Sequence, residues 1–251
     1  MRKPFGTLTA ALLLSTTLAL PAQAANVAMG WSWYYTPTLA DNLTARGNQV
    51  SVLQDYDAAT LSAFDVFILD GTARANAAEL DAFVYQGGTL ILQPLSMRYA
   101  GITPGLSVAG GYHHMAHAES QPGIEVLADY DWLLEGVTLP AAGSATVGRE
   151  VGTAFAEGAT QVLEWEDGAA LLGYRQYGAG TVIGFNVNLV TEDASPLDAE
   201  WSNRIVYNAI DAAAVSAVPE PATHAMLGAG LLALAAWRRR ARDKQQEEIS
   251  K

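Results

Sequence analysis

The stretch DVFILD, residues 65–70, decides the fold class of this sequence. Its four central residues are apolar without a break, and an aspartate stands at each end. A strand with one solvated face would alternate apolar and polar residues, whereas a strand covered on both faces is apolar throughout. The stretch therefore predicts a buried strand of a parallel sheet in an α/β protein.

The sequence on either side of this stretch alternates between strand and helix patterns. We expect strands over 26–31, 49–53 and 89–93, and helices over 37–46 and 75–86. Thr36 and Pro37 supply the N-cap and the first residue of the first helix, and Gly87 ends the second. This order, with its short connections, predicts a doubly wound, mostly parallel sheet of the flavodoxin-like kind.

The second half of the sequence has weaker patterns. Residues 95–123 are rich in glycine and hold three of the four histidines, which predicts a long irregular segment over the strand ends. Strands are expected over 161–165, 169–175 and 181–186, separated by turn sequences. Residues 198–213 have the spacing of an amphipathic helix that closes the domain.

The first residues have the pattern of a secretory signal peptide. Arg2 and Lys3 are followed by an apolar stretch over 8–20, and Ala22 and Ala24 occupy the −3 and −1 positions of an Ala-x-Ala cleavage site. Cleavage there would make Ala25 the first residue of the mature chain. The stretch is short for a membrane anchor, and a good cleavage site follows it, so an uncleaved anchor is the weaker alternative.

The last residues combine an extended motif, an apolar run and a basic cluster. The motif is Val218, Pro219, Glu220 and Pro221, and the cluster after the apolar run is Arg238, Arg239 and Arg240. Residues 225–237 form a short candidate transmembrane helix, and positive charge stays on the cytoplasmic side of a membrane. The chain is thus divided into a signal peptide (1–24), an α/β domain (25–214), a sorting segment with the helix (215–242) and a cytoplasmic tail (243–251).

This C-terminal arrangement resembles a PEP-CTERM sorting signal. The resemblance implies a protein that the secretion machinery exports through its signal peptide and that is held at the inner membrane of a Gram-negative bacterium by the C-terminal helix. It also implies processing by an exosortase, in bacteria that make exopolysaccharide. The expected destination is the cell envelope or the extracellular matrix.

The body resembles the class I glutamine amidotransferase-like fold. The likeness is carried by residues 64–71, 79–84, 87–92 and 177–185. Catalytic relatives place a cysteine on a tight turn after a central strand, whereas this chain has Gln93 to Met97 there and no cysteine at all. Amidotransferase activity is therefore not implied. Ser96 lacks the Gly-x-Ser-x-Gly turn that would present a nucleophile, and we interpret it as a loop or cap serine.

Charge and composition exclude several other functions. Between residues 25 and 217, six arginines and no lysine stand against 22 acidic residues, which gives a net charge of −16. Such a body repels phosphate backbones, so no nucleic acid is expected among its partners. Without cysteine, thiol catalysis and thiolate metal sites are excluded. The sequence predicts no cofactor and assigns no catalytic residue.

One short segment collects candidate metal or ligand-binding residues, namely His113, His114, His117 and Glu119. If it were helical, His113 and His117 would share one face and could bind Zn²⁺ together with Glu119. The glutamate of the zinc-protease motif is missing between them. A solvated loop is the alternative interpretation, and the metal stays unknown.

Two further groups of residues are candidates for a ligand site. The aromatic group after the first strand consists of Trp31, Trp33, Tyr34 and Tyr35, which could stack on sugars or be buried under a loop. The carboxylates near strand ends are Asp55, Asp57, Asp65 and Asp70. Two functions stay open: a non-catalytic α/β binding domain of the envelope or matrix, or a hydrolase acting on envelope or exopolysaccharide material through carboxylates or a metal near 113–119.

Overall fold

A computed structural model gives the structure of most of the α/β domain. It describes residues 24–31, 37–69, 76–100, 103–128, 131–144, 146–187 and 196–216, together with residues 230 and 234. Residues 1–23 of the predicted signal peptide and nearly all of the predicted sorting segment and tail lie outside the described residues. No helix within the described ranges is long and apolar enough to cross a membrane.

An eight-stranded sheet forms the centre of the domain. From one side to the other its strands are β2 (Gln49–Leu53), β1 (Asn26–Gly30), β3 (Val66–Leu69), β4 (Thr89–Leu92), β12 (Gly180–Phe185), β11 (Ala170–Tyr177), β10 (Thr160–Trp165) and β7 (Ile124–Val126). The first five are parallel, and each of the last three is antiparallel to the strand before it. The prediction of an α/β fold with a large, mostly parallel sheet is confirmed.

Helices cover both faces of this sheet. The helices α1 (Pro37–Ala45) and α5 (Pro196–Ser216) pack on one face, and α2 (Ala58–Leu61), α3 (Ala77–Tyr85) and α4 (Pro94–Ala100) pack on the other. In β3, Val66 and Ile68 enter the first core while Phe67 and Leu69 enter the second. Successive side chains of a strand point to opposite faces, which explains why residues 66–69 are all apolar.

Local sequence explains how α3 begins and ends. The side chain of Asn76 accepts a hydrogen bond from the backbone N–H of Ala78 at 3.3 Å and so caps the first turn. Gly87 follows the helix with φ +119°, a conformation that L side chains rarely adopt. At Gly88 a Cβ would lie 2.3 Å from the ring of Phe83, so the chain can return to β4 only through a residue without a side chain.

The segment predicted as irregular is the main correction to the fold. Residues 95–123 contain most of α4, β5 (Ala109–Gly110) and β6 (His114–Ser120), besides a short 3-10 turn. These strands pair antiparallel with β9 (Ala154–Phe155) and β8 (Thr146–Val151), respectively. Both partners lie tens of residues farther along the chain, so no local pattern indicates the pairing.

Candidate functional site

Buried polar side chains gather at the carboxyl edge of the parallel strands. Parallel α/β sheets bind ligands at this edge, because the loops of neighbouring strands meet there. Gln93 follows β4 and Asn186 follows β12, and both side chains are buried. Hydrogen bonds between Asn186 and the backbone of Glu150 bring β8 to the same place. We define the carboxyl-edge cluster as Arg98, Glu150 and Asn186, which are joined by hydrogen bonds.

Asn186 connects the central sheet to β8. Its Oδ1 accepts a hydrogen bond from the backbone N–H of Glu150 at 2.7 Å. Its Nδ2 donates to the carbonyl oxygens of Glu150 at 2.9 Å and of Ala170 at 2.8 Å. Asn186 is 1% exposed, so water does not replace these bonds. A buried backbone group that loses its partner costs about 1–3 kcal/mol, and this side chain satisfies three of them.

Glu150 and Arg98 form the charged part of the carboxyl-edge cluster. The Nη2 of Arg98 donates to Oε2 of Glu150 at 2.7 Å. The Glu150 side chain is fully buried, whereas 38% of the Arg98 side chain is exposed. Within the described part of the chain, Oε1 of Glu150 and Nε of Arg98 have no hydrogen-bond partner. Both of these atoms are buried, so Arg98 is the partly exposed member of a pair whose carboxylate is closed off from solvent.

Tyr112 packs beside this ion pair. The Arg98 guanidinium lies 5.6 Å from the centre of the Tyr112 ring, and the Tyr112 hydroxyl donates to the carbonyl oxygen of Ala109 at 2.7 Å. Burial, reinforced by the negative charge of Glu150, raises the pKa of Tyr112. Tyr112 therefore remains a neutral hydrogen-bond donor.

Ser96 lies in the first turn of α4, directly after the central strand β4. The residue is 1% exposed, and its Oγ has no hydrogen-bond partner among the described residues. A serine becomes a nucleophile when a neighbouring base accepts its proton, and the described residues provide no such contact. Ser96 is therefore placed as a buried helix residue, in the first turn of α4.

A second charged group is built around Arg149, the residue before Glu150 in β8, and we call it the Arg149 clasp. Arg149, which is 3% exposed, donates to Glu119 of β6 and to both carboxylate oxygens of Asp167, at 3.1 and 2.6 Å. Its guanidinium also lies 5.3 Å from the ring of buried Trp165. Burial opposes ionisation of Asp167, but hydrogen bonds from Arg149 and Ala169 outweigh it and lower the pKa of Asp167. The clasp fastens β6 and β8 to the turn after β10.

The histidine segment is extended, which corrects the helical geometry considered for a metal site. His113 precedes β6 and His114 begins it, and both side chains are exposed. The His117 side chain lies outside the described residues. Glu119 is held by Arg149 and is not directed at these histidines. Among the described residues, no group of three or more histidine and acidic side chains could hold a metal ion.

The strand-end carboxylates do not meet in one place. Asp57 caps α2 by accepting from the backbone N–H of Thr60 at 2.7 Å. Asp65 precedes β3 at the opposite, amino edge of the sheet, where it accepts from the backbone N–H of Asn26 at 2.8 Å. Asp55 is exposed after β2, and Asp70 lies outside the described residues. Asp57 and Asp65, the two described members with hydrogen-bond partners, are thus bound to separate backbone N–H groups and do not form an acid–base pair.

The aromatic group after β1 is described only at its first member. Trp31 is 39% exposed, and residues 33–35 lie outside the described ranges. The prediction for Trp33 therefore stays a prediction. The roles predicted for the signal-cleavage residues and for the individual residues of the sorting signal stay predictions as well.

Sequence reasoning missed Arg98, Glu150 and Asn186. The sequence did contain a local signal for Asn186, because a polar residue that directly follows an apolar strand, here the one ending at Phe185, lies at the carboxyl edge of the sheet. Glu150 had none, because nothing near it in sequence indicates that the charged pair at 149–150 lies in a buried strand.

Comparison with known proteins identifies the C-terminal motif. The model of the PEP-CTERM protein-sorting motif matches residues 217–240. This motif implies an exported protein of a Gram-negative bacterium that is recognised by an exosortase and processed at the membrane. Among curated proteins, none matches the sequence significantly.

Solved structures identify the fold of the body. A GMP synthase subunit protein from Thermoplasma acidophilum matches with a TM-score of 0.52 and 15% identity over 76% of this chain and 95% of its own. A ThuA-like protein from Bacteroides uniformis matches with a TM-score of 0.54 and 12% identity over 76% of this chain and 91% of its own. A cytoplasmic protein from Salmonella typhimurium gives 0.55 and 13%, over 74% and 97%. The chain therefore carries a PEP-CTERM sorting signal behind a domain with the class I glutamine amidotransferase-like fold.

Proposed function

We propose that this protein is an exported α/β binding domain that its C-terminal signal delivers to the bacterial envelope. In this proposal the signal peptide ends at Ala24, and the apolar run before Arg238 holds the chain in the inner membrane until an exosortase acts. The processed domain then resides in the envelope or extracellular matrix. The match of the sorting motif to residues 217–240 is the observation that carries the proposal.

The contacts at the carboxyl edge favour binding over catalysis. Arg98, Glu150 and Asn186 are bonded to one another, and Ser96 has no base beside it among the described residues. Catalysis by a nucleophile needs a hydrogen-bonded base and an orienting group. A binding site needs only a few fixed polar groups. The Arg98 side chain, which is 38% exposed and fixed by its bond to Glu150, is such a group.

The sorting half of the proposal is tested by changing the motif and the basic cluster separately. Replacing Pro219, Glu220 and Pro221 by alanine removes two fixed φ angles and should leave full-length protein in the membrane fraction. Replacing Arg238, Arg239 and Arg240 by alanine should instead disturb retention or orientation. Fractionation with size analysis in an exosortase-containing host measures both. Processing of the triple motif variant at the parental rate would overturn the proposal.

A hydrolase remains the second candidate because of Glu150. This carboxylate is fully buried, and its residue pairs in register with Met115 of the histidine segment. Buried carboxylates beside other polar groups are a common feature of acid–base sites. Stoichiometric zinc or manganese in purified protein, lost in a His113→Ala/His117→Ala variant, would favour this candidate over a binding domain.

A further inference from the structure

The parallel strands give the domain two chemically different ends. Val27, Val66, Thr89 and Thr181 are in register across β1, β3, β4 and β12, so these strands start and finish together. We call the side where they start the amino edge. The carboxyl-edge cluster lies at the other side, and a five-residue strand separates the two by about 17 Å.

The predicted mature N-terminus lies at the amino edge. Ala25 directly precedes β1, and its backbone N–H donates to Oδ1 of Asn48 at 3.1 Å. Its carbonyl oxygen accepts from the backbone N–H of Gln49, the first residue of β2, at 3.0 Å. The chain therefore enters the domain at this edge.

The helix that leads to the sorting motif also ends at the amino edge. Asp211, near the end of α5, pairs at 3.1 Å with Arg46, which lies between α1 and the start of β2. Ala213 lines a cavity of about 410 Å³ together with Asp65 and Gly88, the residues immediately before β3 and β4. Residue 217, where the sorting motif begins, is thus one residue beyond a helix end at this edge.

The connection from α5 to the predicted membrane segment is too short for the domain to turn over. The segment 217–224 holds eight residues and two prolines. Such a segment spans at most about 25–29 Å when extended. α5 runs from the carboxyl edge, where Trp201 packs on Phe185, to the amino edge at Asp211, and its 21 residues span about 31 Å. The segment therefore cannot run past the domain and still reach the membrane.

Exposed groups at the far end agree with this placement. His113 and His114 are exposed beside Val151, the neighbour of Glu150 in β8. The acidic body is also repelled by anionic lipid, which opposes its lying flat on the membrane.

We propose that the anchored protein stands with its amino edge towards the membrane and presents the carboxyl-edge cluster to the extracytoplasmic side. The amino edge is then the surface that faces the lipid and the processing enzyme, while ligands reach the exposed part of Arg98 from the opposite side without release of the protein. This inference rests on the proposed membrane attachment through the sorting segment.

Single cysteines test the orientation cleanly, because the chain has none of its own. Gln86→Cys labels an exposed position at the amino edge, and Asp55→Cys labels an exposed position after β2 at the carboxyl edge. Ala179→Cys and His114→Cys, also exposed, form a second pair. Each full-length variant is labelled with a fluorescent donor and reconstituted into phosphatidylcholine vesicles that contain acceptor-labelled lipid.

Energy transfer should place the label at 86 nearer the bilayer than the label at 55 by about 17 Å, and the second pair should repeat the order. Inserting about 20 glycine and serine residues after Ser216 should abolish the difference, because the domain is then free to turn. Equal distances with the native segment would overturn the orientation alone. Protein that does not float with the vesicles would overturn the membrane attachment, and the orientation with it.

Discussion

The parallel half of the central sheet, which is β1 to β4 and β12, and the separate two-stranded β6–β8 sheet are stabilised by different kinds of contact. In β3 and β4 all but one of the buried side chains are apolar, and they enter two cores on opposite faces. In β8, by contrast, neighbouring Arg149 and Glu150 are both buried and both charged. A buried charge is tolerated only with partners, so β8 depends on specific side chains at other positions.

This difference shows where the domain should tolerate change. Loss of apolar volume in the parallel half removes contacts on which the whole fold depends, so its effect should be global. Loss of one polar partner in the β6–β8 sheet should first loosen β6 and β8, while the parallel strands keep their hydrogen bonds. The experiments below separate the two behaviours.

The largest effect is expected for Phe67→Ala in β3. Phe67 is fully buried and contacts Tyr56 and Phe83 edge-on, with ring centroids 4.8 and 6.5 Å apart. Truncation of a buried phenylalanine lowers the free energy of unfolding by about 3–5 kcal/mol. Urea denaturation measures the change. Val52→Ala, at a 39% exposed position of β2, is the control and should change stability little.

A smaller and more local effect is expected for Asn186→Ala. The substitution removes the bonds to the N–H and the carbonyl oxygen of Glu150 and one of the bonds to the carbonyl oxygen of Ala170, which still accepts from the Thr153 hydroxyl at 3.4 Å. We expect a loss of about 1–3 kcal/mol, with faster amide hydrogen exchange in β6 and β8 and unchanged protection in β1, β3 and β4.

Asn208 provides a matched control for this comparison. Its Nδ2 also donates to two carbonyl oxygens, those of Leu133 and Glu135, both at 2.9 Å, but the contact with Glu135 is exposed. Water can replace the lost bonds there, so Asn208→Ala should cost less than Asn186→Ala. If Asn186→Ala instead lost amide protection equally in the central sheet and in β6 and β8, the β6–β8 sheet would not open as a separate unit.

The sequence anticipated the parallel half because its pattern is local. Residues 66–69 indicate burial on both faces by themselves, and Gly87 marks the end of α3 within two residues. The pairing of β6 with β8 depends on contacts such as Glu119 with Arg149, which are 30 positions apart. Periodicity reports which side of an element is covered, and it does not report which distant residue covers it.

The candidate site was hidden for the same reason. Only the fold brings Arg98, Glu150 and Asn186 together, because they belong to α4, β8 and the end of β12. The histidines at 113 and 114 were noticed because they are close in sequence, yet both are exposed side chains beside Val151 and belong to no metal site among the described residues. Clustering in sequence was therefore a poor guide to clustering in space.

A pH-dependent effect of less than about 1 kcal/mol is expected from the Arg149 clasp. The pKa of Asp167 is lowered in the folded protein, so ionised Asp167 stabilises the fold above its unfolded pKa of about 3.9. That contribution is lost as the pH falls through the folded pKa. Asp167→Asn should thus be less stable than the parent near pH 7, and the difference should shrink below about pH 4.

The clasp itself supplies the control for this titration. In an Arg149→Met background the charged partner is gone, so Asp167→Asn should no longer lower the urea midpoint at neutral pH. A double-mutant cycle that gives no coupling between the two positions would contradict the assignment.

The smallest effect is expected for the ion pair between Arg46 and Asp211, which belongs to the parallel half. The two atoms lie 3.1 Å apart, but 35% and 60% of the side chains are exposed, so solvent screens the attraction. Arg46 also stacks on Tyr207 at 4.3 Å, a contact that survives removal of the carboxylate. Asp211→Asn should therefore change the free energy of unfolding by less than about 0.5 kcal/mol, and 1 M salt should erase even that difference. Chemical denaturation at low and high salt measures it. If Asp211→Asn lowered the free energy of unfolding as much as Asn186→Ala does, polar partners would stabilise the parallel half as they do the β6–β8 sheet. The contrast between the two regions would then fail.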